Sequence, residues 1–430
     1  MIVLCIFGCA IFYNHKFIYT PMINRIILSL AVLLATSMAA IGQPQRLHYK
    51  NPTGDEFPIL AWFSILGDSN LVNHRYQELH DAGFNISFSI FSNATSLAKG
   101  LEACRGTGVK IMAHCYEMET NTAEIVNRFK NDENLCGWFL RDEPKADGFA
   151  ELRRFRDRIA SADTTHLLYL NLFPSIVSPA DLLTKSYEDY VQRFVDEVAL
   201  PLVSYDFYPI VDDGKSIFCR DTFFENLDTV RIVARRNGLP FWAFCLSTAH
   251  GAYPVPTTGF MSFEAFSALA YGAQGIQYFT YWTPLGTEWD FHAAPIDENL
   301  NRTDVYYRIR DINRQIQSQA WVFLGAEVIE IGHTGATLPK GTKALGSLPA
   351  PFRSITAGDS GVTVSHLRNG DNRFVMVVSH DINSPQKVAI DVDGGVRQVM
   401  PDGTTVVLAN AGGPRPYMLE PGGYLIFQYR

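Results

Sequence analysis

The stretch GWFLRDEP, residues 137–144, carries a run of apolar residues into two adjacent carboxylates and a proline. The apolar run has the composition of a buried β-strand. Pro144 stops the strand, because proline lacks the backbone N–H for the next ladder hydrogen bond. An unpaired carboxylate is costly to bury. We therefore expect Asp142 and Glu143 to face a polar, solvent-accessible region beyond the end of this strand.

Similar apolar runs recur along the chain on both sides of this stretch. Between residues 57 and 320 they alternate with longer amphipathic segments. They are nearly continuous in apolar residues, which is typical of parallel strands that are buried on both faces. The eight runs cover residues 57–65, 84–91, 109–115, 135–140, 166–173, 200–207, 239–246 and 275–282.

The segments between the runs predict helices. In residues 145–162 and 304–317, apolar residues recur at spacings of three and four, with charged residues on the opposite side. Eight strand–helix repeats over about 260 residues fit the length of an α/β fold of the (β/α)8 TIM barrel type. A doubly wound open sheet is the alternative, but it usually has fewer strands and often a glycine-rich phosphate loop, which this sequence lacks.

The pattern changes after about residue 323. Short segments there alternate apolar with polar residues and are separated by turn signals such as NGDN and PDGT, which predicts an antiparallel β-sandwich. These segments are 361–367, 373–380, 387–392, 404–409 and 423–429. The predicted domains are an upstream extension with a signal peptide (1–43), a (β/α)8 barrel (44–322) and a β-sandwich (323–430).

The N-terminal segment has the pattern of a secretory signal peptide. Residues 22–43 contain basic Arg25, an apolar stretch over 26–34 and small residues before Gln43. Residues 1–21 are interpreted as an extension from a misplaced start codon. A membrane anchor is the alternative, but the apolar stretch is short for a span. The prediction is a secreted or periplasmic protein with no membrane insertion after signal removal.

Composition excludes several classes of partner. The formal charge is −8 and the isoelectric point is about 5.8, which argues against a nucleic-acid partner.

The five cysteines beyond the signal are Cys104, Cys115, Cys136, Cys219 and Cys245. They show no CxxC spacing, so buried free thiols are expected, with one disulfide left open. No cofactor or metal site is predicted.

Polar and aromatic residues cluster where the predicted barrel strands end. In a (β/α)8 barrel the active site lies at this end. The carboxylates expected there are Glu143, Asp206 and Glu288. The expected substrate-binding residues are Trp62, Asp142, His114, Asn171, Tyr208, His250, Tyr281 and Trp282. Carboxylates interleaved with aromatic rings suit an oligosaccharide or polysaccharide, because rings stack on sugars and carboxylates react at the anomeric carbon.

Two motifs resemble a known group of enzymes. RDEP (141–144) resembles the Asn-Glu-Pro-like motif at the end of strand four in exported clan A barrel glycosidases. YGAQGIQYFTYW (271–282) is similar to the strand-eight region of family 42-type β-galactosidase relatives. The resemblance spans roughly residues 55–320 and implies a glycosidase. It puts Glu143 in the general acid/base position, with Asp142 in place of the usual asparagine.

The sequence departs from this family at strand seven. Clan A enzymes place a nucleophilic glutamate there, whereas FWAFCLSTAH (241–250) contains no acid. The nucleophile then comes from elsewhere, or the reaction is inverting, or hydrolysis has been lost. Asp206, at the end of strand six, is the predicted partner of Glu143. Glu288, on a long loop after strand eight, is the reserve because a loop acid is held less precisely.

Other interpretations of these residues remain open. Arg141 would neutralise Asp142 in a structural ion pair, Trp62 and Trp282 would fill the barrel, and Glu264 would be a charge at a helix start. The alternative function is a non-catalytic carbohydrate-binding protein on a degenerate barrel. A metal-dependent hydrolase is disfavoured because no ligand set is evident.

Overall fold

The structure is a computed structural model that describes residues 47–409 and 412–430. The predicted extension and signal peptide, residues 1–43, lie outside the described residues. Among the described residues, no helix is both long enough and apolar enough to cross a bilayer. All five cysteines of this part of the chain are free thiols.

Eight parallel strands form a barrel. They are β1 (Ile59–Trp62), β2 (Ile86–Phe88), β3 (Lys110–Ala113), β4 (Leu135–Asp142), β5 (Leu167–Asn171), β6 (Val203–Tyr205), β9 (Phe241–Leu246) and β10 (Ile276–Phe279). Their order is β5-β4-β3-β2-β1-β10-β9-β6. The circle closes between β5 and β6 through a bridge of Leu172 to Tyr205. Each strand lies in or overlaps a predicted apolar run, so the predicted barrel is confirmed and the open sheet is excluded.

Helices cover the outside of the barrel. They are α1 (Asn73–Asp81), α2 (Ala94–Ala103), α3 (Thr122–Phe129), α4 (Phe149–Ala160), α5 (Tyr187–Glu197), α6 (Phe223–Arg236), α7 (Thr258–Ala270), α8 (Asp304–Ser318) and the short α9 (Ala320–Phe323). α8 shows why the predicted pattern holds: Ile309, Ile312 and Ile316 are buried along one face, and the Thr303 side chain caps the first turn by accepting from Val305 N–H.

Alternate residues of the barrel strands point inward. The lower interior is apolar and aromatic, and its members are Leu60, Trp62, Ile86, Phe88, Met112, Cys136, Phe139, Leu167, Tyr169, Leu202, Trp242 and Phe244. Continuing the alternation of β5 and β6 by two residues puts Asn171 and Asp206 on the same inward faces. The interior therefore changes from apolar to polar toward the carboxyl ends of these strands.

β4 is irregular on both of its edges. Its register with β3 shifts between Ile111 and Met112, and its register with β5 shifts between Phe139 and Asp142. An irregularity in a ladder changes which face the following residues take. After the second shift Asp142 pairs with Asn171 of β5, so the carboxylate ends beside an inward-facing amide.

The remaining strands form a hairpin and a β-sandwich. The hairpin is β7 (Ile210–Asp212) with β8 (Ile217–Cys219), inserted after β6. The sandwich strands are β11 (Glu327–His333), β12 (Phe352–Ala357), β13 (Val362–Asn369), β14 (Asn372–Ser379), β15 (Gln386–Val392), β16 (Arg397–Val399), β17 (Thr405–Val407), β18 (Arg415–Leu419) and β19 (Tyr424–Tyr429). They form antiparallel sheets of six and three strands, as predicted. The hairpin and β11, β12, β16 and β18 were not predicted.

A buried histidine pair joins the barrel to the sandwich. His333 of β11 is hydrogen-bonded to the hydroxyl of Tyr271, just after α7, at 2.8 Å and to His380 at 3.2 Å. Thr363 of β13 bonds His380 at 2.9 Å, and Phe224 of α6 packs against both rings. Burial lowers the pKa of His333 to about 3 and that of His380 to about 4. Both rings are therefore neutral at physiological pH.

We predict that replacing both histidines by glutamine makes stability less sensitive to acid. A lowered pKa in the folded state means that the unfolded chain binds more protons below about pH 6.5, so the wild type loses stability as pH falls toward 4. The thermal midpoint of the double variant should fall by several degrees less than that of the wild type between pH 7 and pH 5. His74→Gln, on the exposed face of α1, is the control. Equal declines in all three proteins would contradict the assignment.

Candidate active site

Glu143 lies just beyond β4 in a backbone conformation that is rare for its residue type. Its φ angle is 44°, in the left-handed region. Its N–H donates to the carbonyl of Asn171 at 2.9 Å, and the next carbonyl, that of Pro144, accepts from the hydroxyl of Tyr190 at 2.6 Å. Bonds from β5 and α5 thus hold the turn, and the glutamate side chain is directed by a fixed backbone.

Asn171, at the end of β5, joins two of the acids. Its side-chain NH2 group donates to Asp142 Oδ1 at 3.2 Å and to Asp206 Oδ1 at 3.0 Å. Asn171 is almost fully buried. The structure therefore brings Asp142, Glu143, Asn171 and Asp206 together. The sequence predicted all four for the site, but it did not predict that the asparagine binds the acids.

Asp206 lies near Glu143. The negative charge of Glu143 contributes to the raised pKa of Asp206, and Asn171 is hydrogen-bonded to both residues, to the backbone N–H of Glu143 through its carbonyl and to Asp206 through its side-chain NH2 group. The backbone N–H of Asp206 donates to Leu172 O at 3.4 Å, beside the bridge that closes the barrel. The ends of strands four and six are thus joined through Asn171 of strand five.

Burial raises the pKa values of all three acids. The pKa of Asp142 rises to about 6, and the bond from Asn171 limits the rise. Burial and then the charge of Asp142 raise the pKa of Glu143 to about 7. Burial, followed by the charges of Glu143 and Asp142, raises the pKa of Asp206 well above its usual value. Asp142 keeps contact with solvent and ionises first, while Glu143 and Asp206 titrate as a pair.

Aromatic rings extend from the acids to the surface. Burial and the nearby carboxylates raise the pKa of the Tyr208 hydroxyl, and its ring contacts Tyr253 and Phe279 at centroid distances of 5.9 and 5.8 Å. His250 packs against Tyr253 and Phe279 and, at 5.9 Å, against Trp289, which is 61% exposed. These rings form a continuous wall, of which the sequence predicted Tyr208 and His250.

Two predicted substrate-binding residues lie inside the barrel. Trp62 is only 3% exposed and packs against Phe88, Phe139 and Phe244, with centroids 4.3 to 5.5 Å apart. His114 is also buried, its Nδ1 is hydrogen-bonded to Phe139 O at 3.0 Å, and burial lowers its pKa. Both fill the interior, which corrects the prediction that they contact substrate.

Tyr281 and Trp282 face away from the mouth. Tyr281 is fully buried and packs against Phe84 at 5.4 Å, among residues between the barrel wall and its helices. The Trp282 ring lies under the guanidinium of Arg75 on α1, at 5.5 Å. This corrects the prediction that both bind substrate. The apolar pattern alone could not assign their face because the chain leaves regular strand geometry after Phe279.

Glu288 and Arg141 do not take part in the acid cluster. Glu288 is exposed on the loop after β10 and makes no hydrogen bond or ion pair within residues 47–409 and 412–430. Arg141 points to Glu151 of α4, at 3.9 Å, instead of pairing with Asp142. The interpretation of Arg141–Asp142 as a structural ion pair is therefore wrong. Asp142 instead accepts a hydrogen bond from the side-chain amide of Asn171.

Comparison with known proteins supports the glycosidase interpretation. Residues 178–319, about a third of the chain, match the family model of glycoside hydrolase family 42, described as β-galactosidase. The chain resembles the family 42 β-galactosidases. The predicted resemblance is confirmed, and the match supports the prediction of a glycosidase. The matched segment contains Asp206 but begins after β4, so it does not include Glu143. No match was found among curated proteins.

Solved structures with the same fold include family 42 enzymes. The β-galactosidase from Bacillus circulans sp. alkalophilus aligns with a TM-score of 0.57 and 9% identity, covering 87% of this chain and 99% of that chain. A catalytic mutant of Gan42B, a family 42 β-galactosidase from G. stearothermophilus, gives 0.58 and 9%, over 90% and 99%. An Anoxybacillus α-amylase gives 0.50 and 9%, over 89% and 99%. At such identities the likeness establishes the fold alone.

The family position at strand seven is occupied by uncharged residues here. Beyond β9, the hydroxyl of Ser247 donates to Thr280 O at 2.8 Å and that of Thr248 to His292 O at 3.1 Å. An acid does approach this strand from α7: Glu264 accepts from Leu246 N–H at 2.6 Å. It is 3% exposed, on a helix that is buried throughout residues 260–270.

Glu264 is therefore a structural acid inside the protein. The sequence suggested a charge at a helix start, but α7 begins at Thr258, and its second turn packs against β9. Burial raises the pKa of Glu264 to about 8. Its carboxyl group is neutral at pH 7. Within the described residues, no group of three or more His, Cys, Asp and Glu residues is arranged to hold a metal ion.

We predict that Glu264→Gln removes a loss of stability at alkaline pH. A raised pKa in the folded state means that the folded protein binds more protons than the unfolded chain, so wild-type stability falls as pH rises from about 4.5 to about 8. Glutamine stays neutral, so the variant's thermal midpoint should fall by a few degrees less between pH 5 and pH 8. Exposed Glu124→Gln on α3 is the control. The same pH dependence in Glu264→Gln as in the wild type would rule out a buried, neutral carboxyl.

Proposed function

We propose that the chain is an exported glycoside hydrolase that uses Glu143 as general acid/base and Asp206 as its partner carboxylate. The observation that carries this proposal is that Asn171 holds Asp142, Asp206 and the backbone of Glu143 together at the carboxyl ends of β4, β5 and β6. Paired carboxylates with raised pKa values at a barrel mouth are the chemistry that glycosidic cleavage needs. Export is inferred from the signal-like residues 22–43 alone.

Glu143 is the member of the pair suited to hold the proton. Asp206 accepts from the amide of Asn171, and hydrogen bonds to an ionised carboxylate favour that form. Asn171 gives its two side-chain N–H bonds to Asp142 and Asp206 and none to Glu143, and the pKa of Glu143, about 7, keeps a large fraction of it protonated at neutral pH. It would donate its proton to the glycosidic oxygen as the bond to the anomeric carbon breaks.

The electrostatic interaction between the two acids favours a retaining reaction. Inverting enzymes separate their carboxyl groups by about 6.5–9.5 Å to admit a water molecule, whereas retaining enzymes hold them about 5–5.5 Å apart. Glu143 lies close enough to Asp206 for its charge to raise the pKa of Asp206, which favours the second arrangement. Asp206 would then attack the anomeric carbon, and the alcohol would leave with the Glu143 proton. Water, deprotonated by Glu143, would release the sugar from Asp206.

The wall of rings gives the substrate an apolar surface. Tyr208, His250 and Trp289 lead from the acids to the solvent, and a pyranose stacks its C–H face on such rings. The relatives are named β-galactosidases, so an aryl β-galactoside is the first substrate to assay, followed by other aryl glycosides and by plant or host polysaccharides.

We predict that Glu143→Gln reduces turnover by roughly two or more orders of magnitude while substrate binding is largely kept. Glutamine keeps the shape of the side chain but has no proton to transfer. The measurement is kcat and KM on the best substrate of the screen. Glu288→Gln is the matched control because Glu288 is exposed and outside the acid cluster, so its turnover should equal that of the wild type.

The same assay separates the proposal from the alternative function. If Glu143→Gln hydrolyses as fast as the wild type, Glu143 is not the acid/base. The empty strand seven favours a sugar-binding protein as the alternative. If the folded wild type binds a sugar in calorimetry but cleaves none of the screened glycosides, the binding function replaces the enzymatic one.

A further inference from the structure

A chain of hydrogen bonds runs across the barrel interior beneath the acids. Ser204 of β6 donates to Asn171 Oδ1 at 3.0 Å. Gln277 of β10 donates from Nε2 to Ser204 Oγ at 2.9 Å. The Oε1 of the same glutamine accepts from the hydroxyl of Tyr169 on β5, which also lies 3.0 Å from Ser204 Oγ. All four side chains are almost completely buried, so water is not available as a substitute partner.

The chemistry of these groups gives the chain a direction. A serine hydroxyl has a single proton, and an amide has a donor end and an acceptor end. Because Gln277 presents NH2 to Ser204, the hydroxyl of Ser204 is free to give its proton to the oxygen of Asn171. The oxygen of Asn171 is thereby turned down into the barrel, and its NH2 group is turned up toward Asp142 and Asp206.

Reversing the chain would change what the acids meet. If Gln277 presented its oxygen to Ser204, the serine proton would go to the glutamine, and Asn171 would donate downward. Asn171 would then present its oxygen to Asp142 and Asp206, and an oxygen cannot accept from an ionised carboxylate. That orientation is favourable only when an acid is protonated and donates to it. The direction of the chain and the protonation of the acids are thus linked.

We propose that Ser204 and Gln277 are positioning residues that lock the Asn171 amide with its NH2 group toward Asp142 and Asp206. Neither residue touches the acids, and both act through Asn171. The catalytic consequence rests on the proposed function: the lock favours the ionised form of Asp206, the partner carboxylate, over its protonated form. Without the hydroxyl of Ser204, the buried oxygen of Asn171 has no donor beneath it. A buried acceptor is costly to leave unpaired, so loss of Ser204 removes the preference for one orientation.

Other titratable groups around the acids must be considered in any pH measurement. Those that face the cluster or interact with it electrostatically are Tyr169 and Tyr208 in the barrel, Tyr187 and Tyr190 of α5, and Tyr205 of β6. Burial lowers the pKa of His114, just after β3, and the charge of Arg141 lowers it slightly further. Burial raises the pKa of each of these tyrosines. The tyrosines therefore stay neutral between pH 4 and pH 8, so that the carboxyl groups and His114 are the groups to follow in this range.

The test compares Ser204→Ala with Ser87→Ala. Ser87 of β2 is an equally buried serine whose hydroxyl bonds Ser64 and not Asn171. The proteins are labelled with 13C at the aspartate carboxyl carbon, and the Asp206 signal is assigned by its loss in Asp206→Asn. Titration by NMR should show the pKa of Asp206 higher by about one unit in Ser204→Ala, and unchanged in Ser87→Ala.

Gln277→Met provides a second variant in case Ser204→Ala does not fold. Methionine fills a similar volume but cannot donate to Ser204. This variant should also raise the pKa of Asp206. If a folded Ser204→Ala or Gln277→Met titrates like the wild type, or if Ser87→Ala shifts equally, the positioning role is wrong.

Activity measurements separate this inference from the proposed function. With an active wild type, the acid limb of the kcat/KM profile should move to higher pH by the same amount in Ser204→Ala, a change that general loss of stability would not cause. If the NMR shift occurs but no glycoside is cleaved by the wild type, the positioning role stands and the proposed function fails. If the wild type cleaves a glycoside but the NMR shift is missing, the proposed function stands and the positioning role fails.

Discussion

The hydrogen bonds that Asn171 donates to Asp142 and Asp206 are the interaction on which this site depends. They place one NH2 group between carboxylates from two strands that flank β5. Without a donor at this point, neighbouring buried carboxylates would repel one another and take up protons. The same residue accepts the backbone N–H of Glu143 on its carbonyl, so one asparagine fixes the backbone of Glu143 and the side chain of Asp206.

The cluster of three acids lowers the stability of the folded protein at higher pH. Three acids with raised pKa values oppose folding as pH rises, because the folded protein holds protons that the unfolded chain releases. Burial of apolar side chains in the barrel below the acids offsets this destabilisation. The apolar and aromatic interior of the barrel includes Trp62 and Trp242, and the side chains of Ser204, Gln277 and Tyr169 form the polar layer that supports Asn171. The left-handed backbone of Glu143 and the three acids thus lie together at the carboxyl end of the barrel, where active sites commonly store strain.

The sequence predicts the barrel well because buried parallel strands have a composition of their own, and eight such runs leave few alternatives. It predicts that Glu143 and Asp206 lie near each other, because the carboxyl ends of all the strands of a barrel meet at one mouth. It fails for Tyr281, because facing depends on alternation and the chain leaves regular strand geometry before that residue. The contact of Asn171 with Asp142 depends on a register shift in β4, and Glu264 is buried by packing of α7 on β9. Neither leaves a signal in local sequence.

The central claim is that an acid at the end of strand six replaces the acid that clan A enzymes carry on strand seven. Its most direct test is to trap the covalent intermediate with a 2-deoxy-2-fluoro glycoside of the best substrate and to locate the label by peptide mass spectrometry. We expect one glycosyl group on the peptide that contains Asp206, and none in Asp206→Asn. A label on the peptide that contains Glu288, or hydrolysis with inversion and no label at all, would contradict it.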